Sequence, residues 1–177
     1  MNEHNIPFAT AFIDSPLGTL KLSMAGGELT GLDFTETPVA AQIPDVLMDC
    51  AVQLRAYFNG DLKQFNIPLK PAGTPFQLKV WQLLTEIPYG ETVSYGSLSA
   101  RLGMRNGARA VGLANAANPV PVIIPCHRVI GAGGRLTGYA GGLWRKEWLL
   151  RMEADHLPFT GKSNQQSPFS GGTLRLF

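Results

Sequence analysis

Pro71-Ala72-Gly73-Thr74-Pro75-Phe76 divides the chain. Pro71 and Gly73 break whatever regular structure precedes them. Thr74 then supplies an N-cap hydroxyl, and Pro75 stands where a helix has no use for its missing N–H. Downstream, Phe76, Val80, Leu83, Leu84 and Ile87 recur on one helical face until Pro88-Tyr89-Gly90 stops the pattern. Upstream, Phe65, Ile67 and Leu69 alternate as a strand would. We place a domain boundary there, with residues 1–72 on one side, 73–156 on the other, and 157–177 as a flexible tail rich in Ser, Gly, Asn and Gln between Thr160 and Gly172.

The first domain reads as a small antiparallel sheet with one helix. Phe8–Asp14, Leu20–Met24 and Leu29–Phe34 are β-prone runs joined by Ser15-Pro16-Leu17-Gly18 and Ala25-Gly26-Gly27-Glu28, both of turn composition. From Asp45, taken as an N-cap, Leu47, Cys50, Ala51, Leu54 and Phe58 form the buried stripe of a helix closing near Gly60. Cys50 on that stripe is a structural residue.

The second domain is mainly helical. Ser94 caps a short helix with Tyr95, Leu98 and Leu102 inward, Gly103 stops it, and another helix follows Gly103-Met104-Arg105-Asn106 and runs to about Ala117. The pair is a helix-turn-helix candidate. Between residues 108 and 117 the second helix carries one charge, Arg109, and mostly small side chains. That is too bare for a base-reading helix in the major groove. It suits either close packing inside the protein or close approach of the helix to an external surface.

Composition bounds the function. With 177 residues, 45% hydrophobic and 16% charged, the chain is globular. Its apolar runs are far too short to span a membrane, and MNEHNIPFAT lacks the basic start and apolar run of a signal peptide, so a cytoplasmic location is expected, on the nucleoid in a bacterium. The formal net charge of +2 hides an asymmetry: residues 1–72 hold four cations and eight acids, and residues 73–177 hold 11 cations and five acids. A polyanionic partner for the second half fits this, as does an ordinary solvated surface. Two cysteines without paired spacing rule out a disulfide framework and a zinc knuckle.

The chemistry centres on Val122-Ile123-Ile124-Pro125-Cys126-His127-Arg128-Val129-Ile130, followed by a glycine-rich segment from Gly131 to Gly142. Cys126 ends an apolar strand and is followed by two cationic residue types, which favour a thiolate. A core cysteine at a strand end fits the same residues. In a strand His127 would face away from Cys126, so direct contact needs a turn, and otherwise a bridging water.

Ile124-Pro125-Cys126-His127-Arg128-Val129 resembles the signature of the O6-alkylguanine-DNA alkyltransferases. The likeness continues through Phe76-Gln77, Trp81, Ile87-Pro88-Tyr89-Gly90-Glu91-Thr92, Tyr95-Gly96, Arg109-Ala110-Val111-Gly112, Asn118-Pro119, Gly138-Tyr139-Ala140-Gly141-Gly142, and Lys146-Glu147-Trp148-Leu149-Leu150 to Glu153. It covers residues 74–154, while the N-terminal part is similar only in α/β character. The resemblance implies a ribonuclease H-like α/β domain followed by a winged-helix-like DNA-binding domain. It also implies a single-turnover transfer of alkyl groups, methyl above all, from O6-alkylguanine, and from O4-alkylthymine, in double-stranded DNA.

By the same resemblance Cys126 is the acceptor, and His127, through a water, and Glu153 form the relay that activates it. Asn118 ties the helix-turn-helix to the active-site segment, and Tyr95 donates a proton to the leaving base. Tyr139, Val129, Pro121 and Ala140 line the base pocket, Val129 through its backbone. Arg109 fills the gap left by a flipped nucleotide, with Ala108, Ala110, Tyr95 and Arg128 also on the DNA. No cofactor and no metal is implied, and the protein is expected to act as a monomer, with clustering on DNA a further property of such a protein. An alkyltransferase-like protein that binds without reacting would lack Cys126. A cysteine hydrolase would leave the basic half unexplained, and a transcription regulator would need a richer recognition helix.

Overall fold

The computed structural model describes residues 8–39 and 42–157. The tail expected over 157–177 lies outside them apart from Leu157. Three strands open the chain, β1 (Ala9–Ile13), β2 (Thr19–Ala25) and β3 (Glu28–Thr35), in an antiparallel sheet of order β1-β2-β3. Ala9, Ala11 and Ile13 on β1 and Leu20, Leu22 and Met24 on β2 are buried in strict alternation. On β3 the buried residues are Leu29 and Leu32, three apart, because a register shift at Ser23/Met24 inserts a residue and turns both leucines inward.

Helix α1 (Asp45–Phe58) packs on β1 with Leu47, Cys50, Ala51, Leu54, Tyr57 and Phe58 buried. At roughly 1.5–3 kcal/mol for each large side chain, this stripe rather than helix propensity holds α1 in place. The cap differs from expectation: Pro44 occupies the N-cap position, and Asp45 is the first helical residue, where its charge favours the positive end of the helix dipole. The strand expected at residues 65–69 is also absent. Only an isolated parallel bridge joins Leu69 to Leu29, with Leu29 N–H on the Pro68 carbonyl at 2.8 Å and Lys70 N–H on the Leu29 carbonyl at 2.9 Å. Pro68 has no N–H to extend a ladder.

The C-terminal part consists of α2 (Pro75–Thr85), β4 (Val93–Ser94), α3 (Tyr95–Arg101), α4 (Ala108–Ala116), β5 (Val129–Ile130) and α5 (Leu143–Asp155). Thr74 and Gln77 form a reciprocal capping box at the start of α2, and Ser94 caps α3 by accepting from Ser97 N–H at 3.0 Å. The α3–α4 corner and the short parallel β4–β5 pair make the winged-helix-like unit.

The apolar strand expected to lead into Cys126 is replaced by turns. Pro119, Pro121 and Pro125 remove ladder donors, and Ile124 N–H closes back on the Val120 carbonyl at 2.9 Å. Val122 sits at φ +75°, a costly conformation for a β-branched residue that the turn imposes. A single 3₁₀ turn, Cys126–Arg128, precedes β5.

The two halves share one continuous apolar core. Leu32 N–H donates to the Pro119 carbonyl at 2.8 Å. Arg145 Nε donates to the Leu17 carbonyl at 2.8 Å while its guanidinium lies 4.6 Å over the Phe34 ring. Among the described residues no helix is long and apolar enough to cross a membrane.

Candidate active site

The turn before Cys126 is pinned by two asparagines. Asn118, just past α4, donates to the Ile124 carbonyl at 2.8 Å and accepts from Val120 N–H at 3.0 Å. Asn115, on the inner face of α4, donates to the Cys126 carbonyl at 3.3 Å. Trp81 of α2 donates to the Ala114 carbonyl at 2.8 Å, which fixes α4 from the other side. The second helix of the corner and the cysteine turn therefore move as one piece.

Cys126 is 3% exposed and lines a pocket with Asn115, Asn118, Pro121, Gly138, Tyr139 and Ala140. Its free volume is about 10 Å³, room for no more than a water molecule. The Tyr139 hydroxyl is buried over this pocket and faces the Cys126 sulfur. Its loop is held against the N-terminal sheet, where the Tyr139 and Phe34 rings stand 6.3 Å apart. A Cβ on Gly141 would come within 2.6 Å of the Phe34 ring, so only glycine lets the loop lie this close.

Burial pushes the Cys126 thiol up to about 11, and the Asn118 amide, the Lys146 charge and the Tyr139 hydroxyl oppose that rise. The free protein thus holds a thiol near neutral pH, not the thiolate expected from the sequence. The cation that acts on the sulfur is Lys146 of α5, not the adjacent His127 and Arg128. This lysine of α5 is fully buried, its Nζ donating to the Val129 carbonyl at 2.6 Å and the Thr137 carbonyl at 2.9 Å, and it stands 5.9 Å over the Tyr95 ring. Burial lowers its ammonium to about 8. The Val129 carbonyl, expected to face the base, already accepts from Lys146.

Behind the cysteine lies a buried charged cluster. Glu153 Oε1 accepts from His127 Nε2 at 2.9 Å, from Arg128 Nη2 at 2.8 Å and from the Tyr57 hydroxyl at 2.6 Å. Glu153 Oε2 accepts from Arg128 Nε and from Gly90 N–H, both at 3.0 Å. Burial alone would raise the Glu153 carboxyl, but the hydrogen bonds and charges of His127 and Arg128 hold it well below the usual carboxylate range. Burial lowers His127 despite the carboxylate, so the imidazole is neutral. Donation from Nε2 to Glu153 leaves Nδ1 as the acceptor, and Nδ1 has no protein partner.

Arg128 corrects the sequence expectation. It is 7% exposed, and its guanidinium is spent on Glu153 and on the Ile87 carbonyl at 2.6 Å instead of turning outward. Arg109 is exposed on the outer face of α4, with Ala108 and Ala110 half-buried on either side. Leu113, one turn further on, is 69% exposed on that face and was not anticipated. Tyr95 is half-buried at the start of α3, beside Gly112 of α4, and burial raises its hydroxyl so that it keeps its proton.

Lys146 and Tyr57 were missed although both left a signal. Lys146, Leu149, Leu150 and Glu153 fall at i, i+3, i+4 and i+7, which places two charges on a buried stripe, and Tyr57 follows Leu54 by three on the stripe of α1.

Comparison with known proteins matches both parts of the chain. The model of the 6-O-methylguanine DNA methyltransferase ribonuclease-like domain matches residues 9–71, and that of the corresponding DNA-binding domain matches residues 75–155. The methylated-DNA–protein-cysteine methyltransferase of Mycobacterium bovis is 47% identical over 152 residues, covering 82% of this chain and 92% of its own length. That of Methanosarcina acetivorans is 45% identical over 150 residues, covering 81% and 96%. The crystal structure of Mycobacterium tuberculosis OGT in complex with DNA superposes with a TM-score of 0.75 at 48% identity, covering 84% of this chain and 94% of the other. Matched along both halves by one family, and at nearly half identity by relatives of similar length, the chain belongs to the 6-O-methylguanine DNA methyltransferase family.

Proposed function

We propose that this protein repairs DNA by direct reversal, moving an alkyl group from guanine O6 in duplex DNA to Cys126 Sγ, once per molecule. The observation that carries the reading is a buried cysteine, Cys126, whose turn is locked to the outward-facing helix α4 and backed by the His127–Glu153 pair.

The chemistry balances without a cofactor. The Cys126 proton passes through a water to His127 Nδ1, and Glu153 stabilises the imidazolium that forms. The sulfur attacks the alkyl carbon, an S–C bond forms, the O6–C bond breaks, and its electron pair stays on the base. Tyr95, which keeps its proton, donates to the ring nitrogen as that charge develops, and the relay proton makes good the loss. The product thioether has no hydrolytic exit, so the protein is consumed. O4-alkylthymine presents the same alkyl–oxygen bond and is a second substrate. Action as a monomer belongs to the same reading, and a chromosomal substrate supports a cytoplasmic, nucleoid-bound location.

The pocket over Cys126 is far smaller than a base, so the Tyr139 loop opens as guanine enters. The base must leave the stack to get there, at a cost of a few kcal/mol. Arg109, projecting from the small-residue face of α4, fills the vacated space from the minor-groove side.

Intact mass after mixing with duplex DNA containing O6-methylguanine tests the reading. One methyl per protein, mapped to Cys126 and absent from Cys126→Ala, is expected; repeated turnover, or no adduct on the wild type, overturns it. Arg109→Ala should slow repair of duplex DNA by about tenfold or more while leaving reaction with free O6-alkylguanine nearly unchanged. Equal slowing of both reactions would remove the flipping role.

A further inference from the structure

We propose that Tyr57, delivered by the N-terminal domain, is a positioning residue of the transfer site: its hydroxyl takes up part of the Glu153 carboxylate's charge and so sets how strongly His127 is drawn into the imidazolium form. The inference rests on the reading that His127 accepts the Cys126 proton.

Tyr57 is fully buried on α1, and its hydroxyl donates to Glu153 Oε1 at 2.6 Å, the shortest of the contacts to that oxygen. The same hydroxyl lies 3.4 Å from His127 Nε2, so it stands beside the His127–Glu153 hydrogen bond. Packing alone would be served by phenylalanine, since the ring is already enclosed by Phe58, Phe65 and Tyr89 at centroid distances of 5.5, 5.0 and 5.9 Å. A buried hydroxyl aimed at a shared carboxylate oxygen does something a ring cannot.

A carboxylate that accepts a strong hydrogen bond elsewhere has less charge for its other partners. Oε1 is shared among His127, Arg128 and Tyr57, and removing the tyrosine donor concentrates its charge on the remaining two. Arg128 is cationic already, so the proton equilibrium that responds is that of His127. The groups facing His127 are Glu153 and Lys146 from α5, Arg128 and Cys126 from its own turn, Tyr57 from α1, and Tyr89 behind Tyr57. Of these, Tyr57 both touches the carboxylate and belongs to the N-terminal domain. That gives this domain a task in the chemistry beyond support.

His127 must be neutral to accept a proton. The transfer rate of the wild type should therefore fall on the acid side, along a limb set by His127. In Tyr57→Phe the freed carboxylate favours the imidazolium, and the limb should move to higher pH by roughly half a unit to one unit. One unit below the wild-type midpoint, the variant should be slower by a further factor of about 3 to 10. Phe58→Leu, altered on the same helix away from Glu153, is the packing control: it should lower thermal stability without moving the limb.

The experiment is single-turnover methyl transfer from O6-methylguanine duplex to full-length protein, at saturating DNA, between pH 5 and 8. A limb displaced upward in Tyr57→Phe and unmoved in Phe58→Leu supports the proposal. A wild-type profile with no acid limb, the same limb in Tyr57→Phe, or equal displacement in both variants overturns it. Absence of methyl transfer by the wild type would instead overturn the underlying reading.

Discussion

Glu153→Gln should cost about 3–5 kcal/mol of stability and reduce alkyl transfer by about 100-fold or more. The carboxylate is fully buried and accepts from Tyr57, Gly90, His127 and Arg128. A glutamine of the same shape turns one acceptor oxygen into a donor that points at other donors. Arg128 keeps the Ile87 carbonyl and the Tyr89 ring, 5.7 Å away, yet its charge is left uncompensated inside the protein. His127 loses the partner that fixes its tautomer and stabilises its charged form. The pH dependence separates this cause from simple misfit. Because the folded carboxyl is held below its ordinary value of 4.5, the stability it contributes is complete above that value and drains away as pH falls toward the lowered one. Urea unfolding should then show the full gap between wild type and variant at pH 7, narrowing only below about pH 4.5. A gap of the same size at pH 3 and pH 7, or no gap at all, would show that the charge is not what stabilises the cluster.

The same cluster marks what could be read from the chain and what could not. The meander, α1 and the α2 start were legible because each is written locally: period-2 burial on β1 and β2, a stripe at i, i+3, i+4, i+7, and Thr74 with Pro75 and Gln77. The Cys126 turn was not, since the apolar run Val122–Ile124 looks like a strand and the prolines around it carry the contrary signal. Arg128 is expected on the DNA by resemblance, and no local pattern marks its charge as interior, since charged residues are usually exposed. Its partner, Glu153, is 25 positions away in sequence, and only the fold brings them together. Lys146 is likewise interior, so fewer of the C-terminal cations face phosphates than the count of 11 suggests. Tyr57 is 96 positions from Glu153, a pairing that no local pattern contains.

Lys146→Met should lower the rate of methyl transfer by about 10- to 100-fold at pH 7 and remove an alkaline limb from the pH profile. Methionine keeps the length of the side chain but has neither charge nor donors. The Val129 and Thr137 carbonyls lose their partner, which costs about 1–3 kcal/mol at the buried Val129 carbonyl and less at the part-buried Thr137 one. More directly, the cation that favours the Cys126 thiolate is gone, and each further unit of rise in the thiol costs a factor of about ten in thiolate. In the wild type the active form needs neutral His127 and charged Lys146. Since burial sets the ammonium at about 8, raising the pH through that value discharges the lysine, withdraws its support from the sulfur, and lowers the rate. The wild-type profile is thus bell-shaped, with His127 on the acid side and Lys146 on the alkaline side. In Lys146→Met the acid limb persists and the decline near pH 8 disappears, because nothing there remains to titrate. Persistence of that decline in the variant, or an unchanged rate at pH 7, would show that Lys146 holds the backbone of the pocket and has no hold on the sulfur.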